Sequence, residues 1–262
     1  MDIERNTLFG YPEFIDDRQN LTTLDGNFKD MLMNVDVYKM KKGEEKIFHL
    51  EKEELAILLM HGSVNFACED KSFNATRSDL WNDRASLLHV SKNIEVKVIA
   101  LEDSEILTQS TNNDKEFPSK FYAPSDIGIN TFGQNLCGGT AVRDVATIFD
   151  YNNAPYSNMV IGESFTHQGS WSSYIPHSHP QPEVYYYKFD KPQGFGACFI
   201  GDEVFKIKDS SFSAITGGET HPQVSAPGYK MYIVWMIRHL PENPWTTRLD
   251  APEHLWMTNA EF

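Results

Sequence analysis

The sequence predicts an all-β protein built as two tandem barrels of jelly-roll type, packed on each other, and three observations predict it. Short segments with strand character recur at even spacing from about Asn34 onward. Turn chemistry separates them, and no long window carries the 3.6-residue period of an amphipathic helix. The two halves also echo each other: each has a glutamate-led apolar strand, a glycine turn, a hairpin of alternating residues, a small-residue turn and a long apolar strand. That last strand reads IEVKVIAL in the first half and KMYIVWMI in the second.

Taken in order, the first half offers NVDVYKM, EKIFHL, ELAILLM, SVNFAC, ASLLHV, IEVKVIAL and EILTQS as strands. Turns fall at Lys42-Gly43, His61-Gly62, Glu69-Asp70, Asn82-Asp83 and Lys92-Asn93, where glycine, asparagine and aspartate accept the tight backbone that a reversal needs. From Thr108 to Asn130 the apolar pattern fades into Ser, Thr, Asn, Asp and Pro, so a linker is expected there, with one barrel over 1–120 and the other over 121–262. The strands then resume: VRDVATIF, NMVIGESFT, WSSYIPH, EVYYYKF, FGACFI, EVFKI, FSAIT and KMYIVWMI.

With 262 residues the chain can bury one large core or two small ones. Its 37 acidic and 23 basic side chains give a net charge of −14, a field that repels polyanions and argues against nucleic acid as a partner. The longest apolar run, Met231 to Ile237, is far shorter than a membrane span, and MDIERNTLFG lacks the basic and apolar regions of a leader. A cytoplasmic protein is expected, with neither membrane nor nucleic acid as partner. Cys68, Cys137 and Cys198 stand apart without CxxC spacing and read as small buried hydrophobes.

The chemistry concentrates in YIPHSHPQPEVYYYKF, residues 174–189. Alternation along an extended backbone puts His177 and His179 on one face. After the turn bracketed by Pro180 and Pro182, Glu183 re-enters a strand with Tyr185 and Tyr187 on its own face. Neutral imidazoles beside a carboxylate suit a divalent first-row metal. With His221, which follows Gly217 and Gly218, the set matches the two-part metal signature of the cupin β-barrel. The first half has no such set: His49, Glu51, Glu53, Glu54 and His89 are expected as packed or surface residues, and the first barrel as metal-free.

GSWSSYIPHSHPQPEVYYYKF, then QGFG, GGETHP, SAPGYKMY and PEHLW, resembles the 5-deoxy-glucuronate isomerase family of bacterial myo-inositol catabolism. More distantly it is similar to the ketol-isomerases of pectin-derived deoxy-uronates. The resemblance implies a bicupin with its metal in the C-terminal barrel, so His177, His179, Glu183 and His221 are the implied ligands. Zinc or manganese comes first for the ion, with iron and nickel also compatible. RDVATI matches a family segment and carries over Arg143. Between the second histidine and the glutamate stand only Pro180, Gln181 and Pro182, where many members have a longer insertion, and this bears on substrate identity.

The implied reaction is an aldose to ketose isomerisation, 5-deoxy-glucuronate to 5-dehydro-2-deoxy-gluconate. The partner is a small anionic sugar acid, and a homo-oligomer is compatible with it. Such chemistry needs an electrophile on the oxygens, which a divalent metal supplies, and a group that moves a proton. Glu163, on one face with Phe165 and His167, is a candidate for the base or for an orienting partner of an imidazole. Tyr185 and Tyr187 could bond substrate hydroxyls or shuttle a proton, or be core aromatics. Arg143 could grip a carboxylate bidentately, or form an ion pair within the protein. Two other functions share the signature: a metal-dependent dioxygenase and a non-catalytic sugar-binding barrel.

Overall fold

Alternating β-branched and aromatic residues form the strands, and the structure, a computed structural model, describes residues 8–258. Among the described residues the regular elements are strands and short 3-10 helices, with no α-helix and none long and apolar enough to cross a membrane. The chain divides into two compact units. One comprises residues 13–128 and 151–159, the other residues 8–12, 129–150 and 160–258.

The division therefore falls beyond the expected 120/121, and two short segments change sides. The region expected as a linker is partly strand, since Ser104–Asn112 pairs with both Asn34–Met40 and Glu53–Cys68. Its polar side chains are buried with partners: Ser110 Oγ donates to Glu53 Oε2 at 2.6 Å and Thr111 Oγ1 to the Leu32 carbonyl at 2.7 Å. Satisfied polar groups can be buried at little cost, so their composition misreads as a linker. Lys120–Tyr122 then adds a further strand against Leu87–Val90 and carries the first unit past residue 120.

In the first unit a single strand, Glu53–Cys68, organises the rest. Its first half pairs with Leu87–Val90 and Ser104–Asn112, its second with Lys71–Arg77 and Glu95–Ala100. The turn expected at His61-Gly62 is instead a bend within this strand. Gly62 takes φ +96° and lies so close to Ser104 that a Cβ would meet its Oγ at 2.3 Å, a position for glycine alone. Leu55, Ile57, Leu59, Val64, Phe66, Val96 and Val98 fill the core between these strands.

The second unit is a sandwich of two antiparallel sheets. The larger runs in the order Phe9–Gly10, Phe212–Ile215, Glu183–Phe189, Met231–Arg238, Met159–Thr166, Arg143–Phe149 and Asn130–Phe132. The smaller runs Trp171–Ser172, Gln223–Ser225, Phe195–Ile200 and Glu203–Lys208. Between them lie Val160, Cys198, Ile200, Ile207, Ile215, Met231 and Ile233. Register sets Glu183 opposite Ile237 and Tyr185 opposite Trp235, so that the odd-numbered residues of both strands face inward together.

Candidate active site

Three local structures bring the histidines and the glutamate together. His177–Ser178 is a two-residue strand held by Leu249–Asp250, with His177 opposite Asp250. Glu183 starts the central strand directly after the proline-bracketed turn. His221 arrives on a turn that touches this turn's backbone: a Cβ on Gly217 would stand 1.9 Å from the Pro180 carbonyl oxygen, and the Gly218 N–H donates to the His179 carbonyl at 2.8 Å with φ +95°. Only two glycines in succession allow that approach.

Donor atoms of His179, Glu183 and His221 all lie within 4.8 Å of one another, and all three residues are buried. The His177 ring sits outside that group, its centroid 4.9 Å from that of His221. Each of the three imidazoles is oriented by a backbone carbonyl two residues away: Nδ1 of His177 to Ile175, 2.9 Å; of His179 to Gln181, 2.9 Å; of His221 to Glu219, 3.0 Å. A carbonyl accepts and never donates, so each Nδ1 carries a proton and each neutral ring keeps its lone pair on Nε2.

Those lone pairs meet a carboxylate. Nε2 of His179 and Nε2 of His221 are each 3.2 Å from Glu183 Oε2, and the His221 nitrogen has no hydrogen-bond partner there. Burial would raise the Glu183 carboxyl, but hydrogen bonds and charge from His179 and His221 lower it to about 2, and that lowering requires a proton on Nε2 of those rings. A carboxylate against two imidazole lone pairs is repulsive unless positive charge lies between them, as a second proton on the rings or as a cation. Burial, followed by the charges of His221 and Arg248, pushes His177 down to about 3, so that ring is neutral and its Nε2 free to coordinate. The donor set thus fits a divalent ion.

Beside the cluster is a cavity of about 320 Å³, lined by His177, His179 and Glu183. One wall carries hydroxyls, on Thr147, Ser164, Ser172, Ser173 and Tyr185; another is apolar, from Ile233, Trp235, Ile237 and Trp245. Tyr185 and Ser173 share a hydrogen bond of 2.9 Å. Burial, and next the Glu183 charge, keep the Tyr185 phenol protonated far above its usual range. Arg143 is buried, lines the cavity, and donates to the carbonyls of Ala141 at 2.8 Å and Tyr174 at 2.6 Å.

Two expected site residues lie elsewhere. Tyr187 points into the sandwich core, where its hydroxyl donates to Gln223 Oε1 at 2.7 Å and lies 2.9 Å from Ser213 Oγ. Glu163 does share a face with Phe165, but that face turns from the cavity: Arg143, Val145 and Thr147 of one strand and Ser164 of the next line it, whereas Glu163 stands opposite Ala146 and accepts a hydrogen bond from Tyr232. Gly162 fixes this facing, because its bare Cα lets the Trp235 ring lie where a Cβ would be 2.2 Å away. The geometry therefore does not put Glu163 within reach of a substrate in this cavity. Conversely, Trp245 and Arg248 line the cavity and were not singled out in the sequence. They sit in PENPWTTRLD, where prolines and polar residues erase any strand pattern.

Two β-barrel units, one of them with a buried histidine and glutamate cluster beside a cavity, define a bicupin. The chain belongs to the KduI/IolB family, whose model matches residues 12–257. It is similar to the 5-deoxy-glucuronate isomerases of Geobacillus thermodenitrificans, at 25% identity over 87% of this chain and 86% of that one, and of Bacillus subtilis strain 168, at 23% over 84% and 86%. Its fold is that of an IolB-like protein from Salmonella typhimurium LT2, with a TM-score of 0.86 at 21% identity over 96% of this chain and 99% of the other. Lactobacillus farciminis oxalate decarboxylase shares the architecture at a TM-score of 0.69 and 11% identity, covering 97% and 90%. The chain is an isomerase of this family.

Proposed function

We propose that the chain is a metal-dependent aldose to ketose isomerase that converts 5-deoxy-glucuronate to 5-dehydro-2-deoxy-gluconate in the cytoplasm. The relatives named for this substrate support the reaction. The observation that carries the metal requirement is the meeting of His179, His221 and Glu183, whose donor atoms lie within 4.8 Å of one another while both Nδ1–H groups are spent on carbonyls. His177, His179, Glu183 and His221 would hold one divalent ion, zinc or manganese before iron or nickel, and when bound it supplies Lewis acidity toward the sugar's adjacent oxygens.

The chain's own residues do the rest. Arg143 holds the acid end of the substrate through its charge. Tyr185 keeps its proton and can give a hydrogen bond to the oxygen that gains charge as the carbonyl moves, with Ser173 fixing the phenol's direction. The wall of Ile233, Trp235, Ile237 and Trp245 excludes water from the carbons between which hydrogen is transferred. Among the described lining residues, Tyr185 is the ionisable proton carrier outside the implied ligands and the two arginines.

The test is conversion of 5-deoxy-glucuronate by metal-loaded protein, without oxygen or nicotinamide. Formation of the 2-keto isomer is expected, and chelation should abolish it. Product made in deuterated water shows whether the hydrogen exchanges with solvent. No isomer from fully metal-loaded protein would sink the assignment, and turnover that requires oxygen would replace it with a dioxygenase.

A further inference from the structure

Two guanidinium groups line the cavity, and neither has a hydrogen-bonded acid. Arg143 is buried, and among the described residues no carboxylate lies within ion-pair distance of it; its bonds go to the carbonyls of Ala141 and Tyr174. Arg248 approaches Asp250, with Nε 3.0 Å from Oδ1, but without the alignment of a hydrogen bond, for that buried oxygen has no hydrogen-bond partner. Burial first, and then the Arg248 charge, lower Arg143 to about 10. Two like charges lining one cavity, Arg143 without an acid beside it, cost free energy that an empty site does not return.

The position of Arg248 is secured by the backbone. The segment after Arg238 runs back over the histidine turn: Gln181 Nε2 donates to the Asn243 carbonyl at 2.8 Å, Leu249–Asp250 pairs with His177–Ser178, and the Ala251 N–H donates to the Pro176 carbonyl at 2.8 Å. Residue 248 is thereby fixed next to the strand that carries His177, and Arg248 lines the cavity while remaining 39% exposed in its side chain. A planar carboxylate offers two oxygens, and two guanidiniums can each present N–H donors to it.

We infer that Arg248, carried by the C-terminal segment, forms with Arg143 a two-guanidinium subsite for a carboxylate, which selects sugar acids over neutral sugars and decides which end of the substrate enters. This rests on reading the cavity as a sugar-acid site. The experiment is therefore one of binding, which does not depend on turnover.

D-gluconate, which has no aldehyde to isomerise, and D-glucitol, its neutral counterpart with a hydroxymethyl in place of the carboxylate, are titrated calorimetrically into metal-loaded protein. The wild type should bind gluconate and prefer it to glucitol. Arg248→Gln should weaken gluconate by about tenfold or more, the loss of a charged hydrogen bond, and leave glucitol and metal content as they were. Arg248→Lys should recover part of the loss, since charge returns without the fork. Three results would overturn the subsite: no gluconate binding by the wild type, an unchanged preference in Arg248→Gln, which would give the selectivity to the metal, or equal loss of both ligands, which would make Arg248 a scaffold. If 5-deoxy-glucuronate is not isomerised while the gluconate preference follows Arg248, the subsite stands and the reaction falls.

Discussion

Each unit buries a glutamate beside a histidine, and the two pairs are opposites in what surrounds the carboxylate. In the first unit Glu54 and His89 are wholly buried and 2.8 Å apart. Donors close in on Glu54 from every side: Ser157 Oγ at 2.8 Å, the Asn158 N–H at 2.6 Å and Asn113 Nδ2 at 3.0 Å. That carboxylate is saturated, and it ties the segment 151–159 to the strand Glu53–Cys68. In the second unit Glu183 meets two imidazoles whose N–H groups are turned away to carbonyls. A buried acid ringed by donors is a structural joint, whereas one ringed by lone pairs is a place for a cation. Residue type does not tell them apart; the direction of the neighbouring protons does.

The largest expected effect comes from making the same change in both pairs. Glu183→Gln should reduce metal content from close to one ion per chain to near zero by elemental analysis and abolish turnover. Glu54→Gln should keep its metal and lose about 3 kcal/mol of stability in urea, since an amide N–H would face groups that donate. Metal loss in Glu54→Gln, or metal retention in Glu183→Gln, breaks the comparison. Next in size, Tyr185→Phe should slow turnover by about 10² with metal intact, as expected of a lost proton donor; equal rates would make Tyr185 a core aromatic.

Gly217→Ala probes the approach of the two turns. Its methyl would stand on the Pro180 carbonyl, so the His221 turn must retreat, and metal affinity should fall about tenfold in a competition with a chromogenic chelator. The smallest effect is expected for Glu163→Gln. Turnover should stay within about threefold and metal content unchanged, with about 1 kcal/mol lost from the bond to Tyr232. A hundredfold slower enzyme would return Glu163 to the role of base and require the cavity to open on its other side.

The His177, His179 and Glu183 stretch was legible because its spacing forces geometry: two residues along a strand share a face, and prolines stiffen the return. His221 was legible through its glycines. The facing of Glu163 was not legible, for a definable reason. Met159–Thr166 is buried on both faces, so alternation says which residues go together but not which way they go. The deciding fact, Trp235 lying over Gly162, joins distant parts of the chain. Gly62 shows the same limit: a glycine after a polar residue reads as a turn, and only the nearness of Ser104 shows a bent strand. Arg248 and Trp245 left no pattern, since their segment takes its shape from the histidine turn it crosses.

The two residues Phe9 and Gly10 form the outermost strand of the second unit's larger sheet, Phe9 across from Ser213. During synthesis on the ribosome, that strand emerges long before its partner, Phe212–Ile215. Phe9–Gly10 must wait, unpaired, until residues 212–215 have been made, and closing so long a loop is entropically slow. Until Phe9–Gly10 docks, Phe212–Ile215 has an open edge of backbone donors and acceptors, the kind of edge that other chains can join. A C-terminal fragment beginning at residue 121 or 129 would carry that edge permanently, and should aggregate although it holds every residue that touches the cavity.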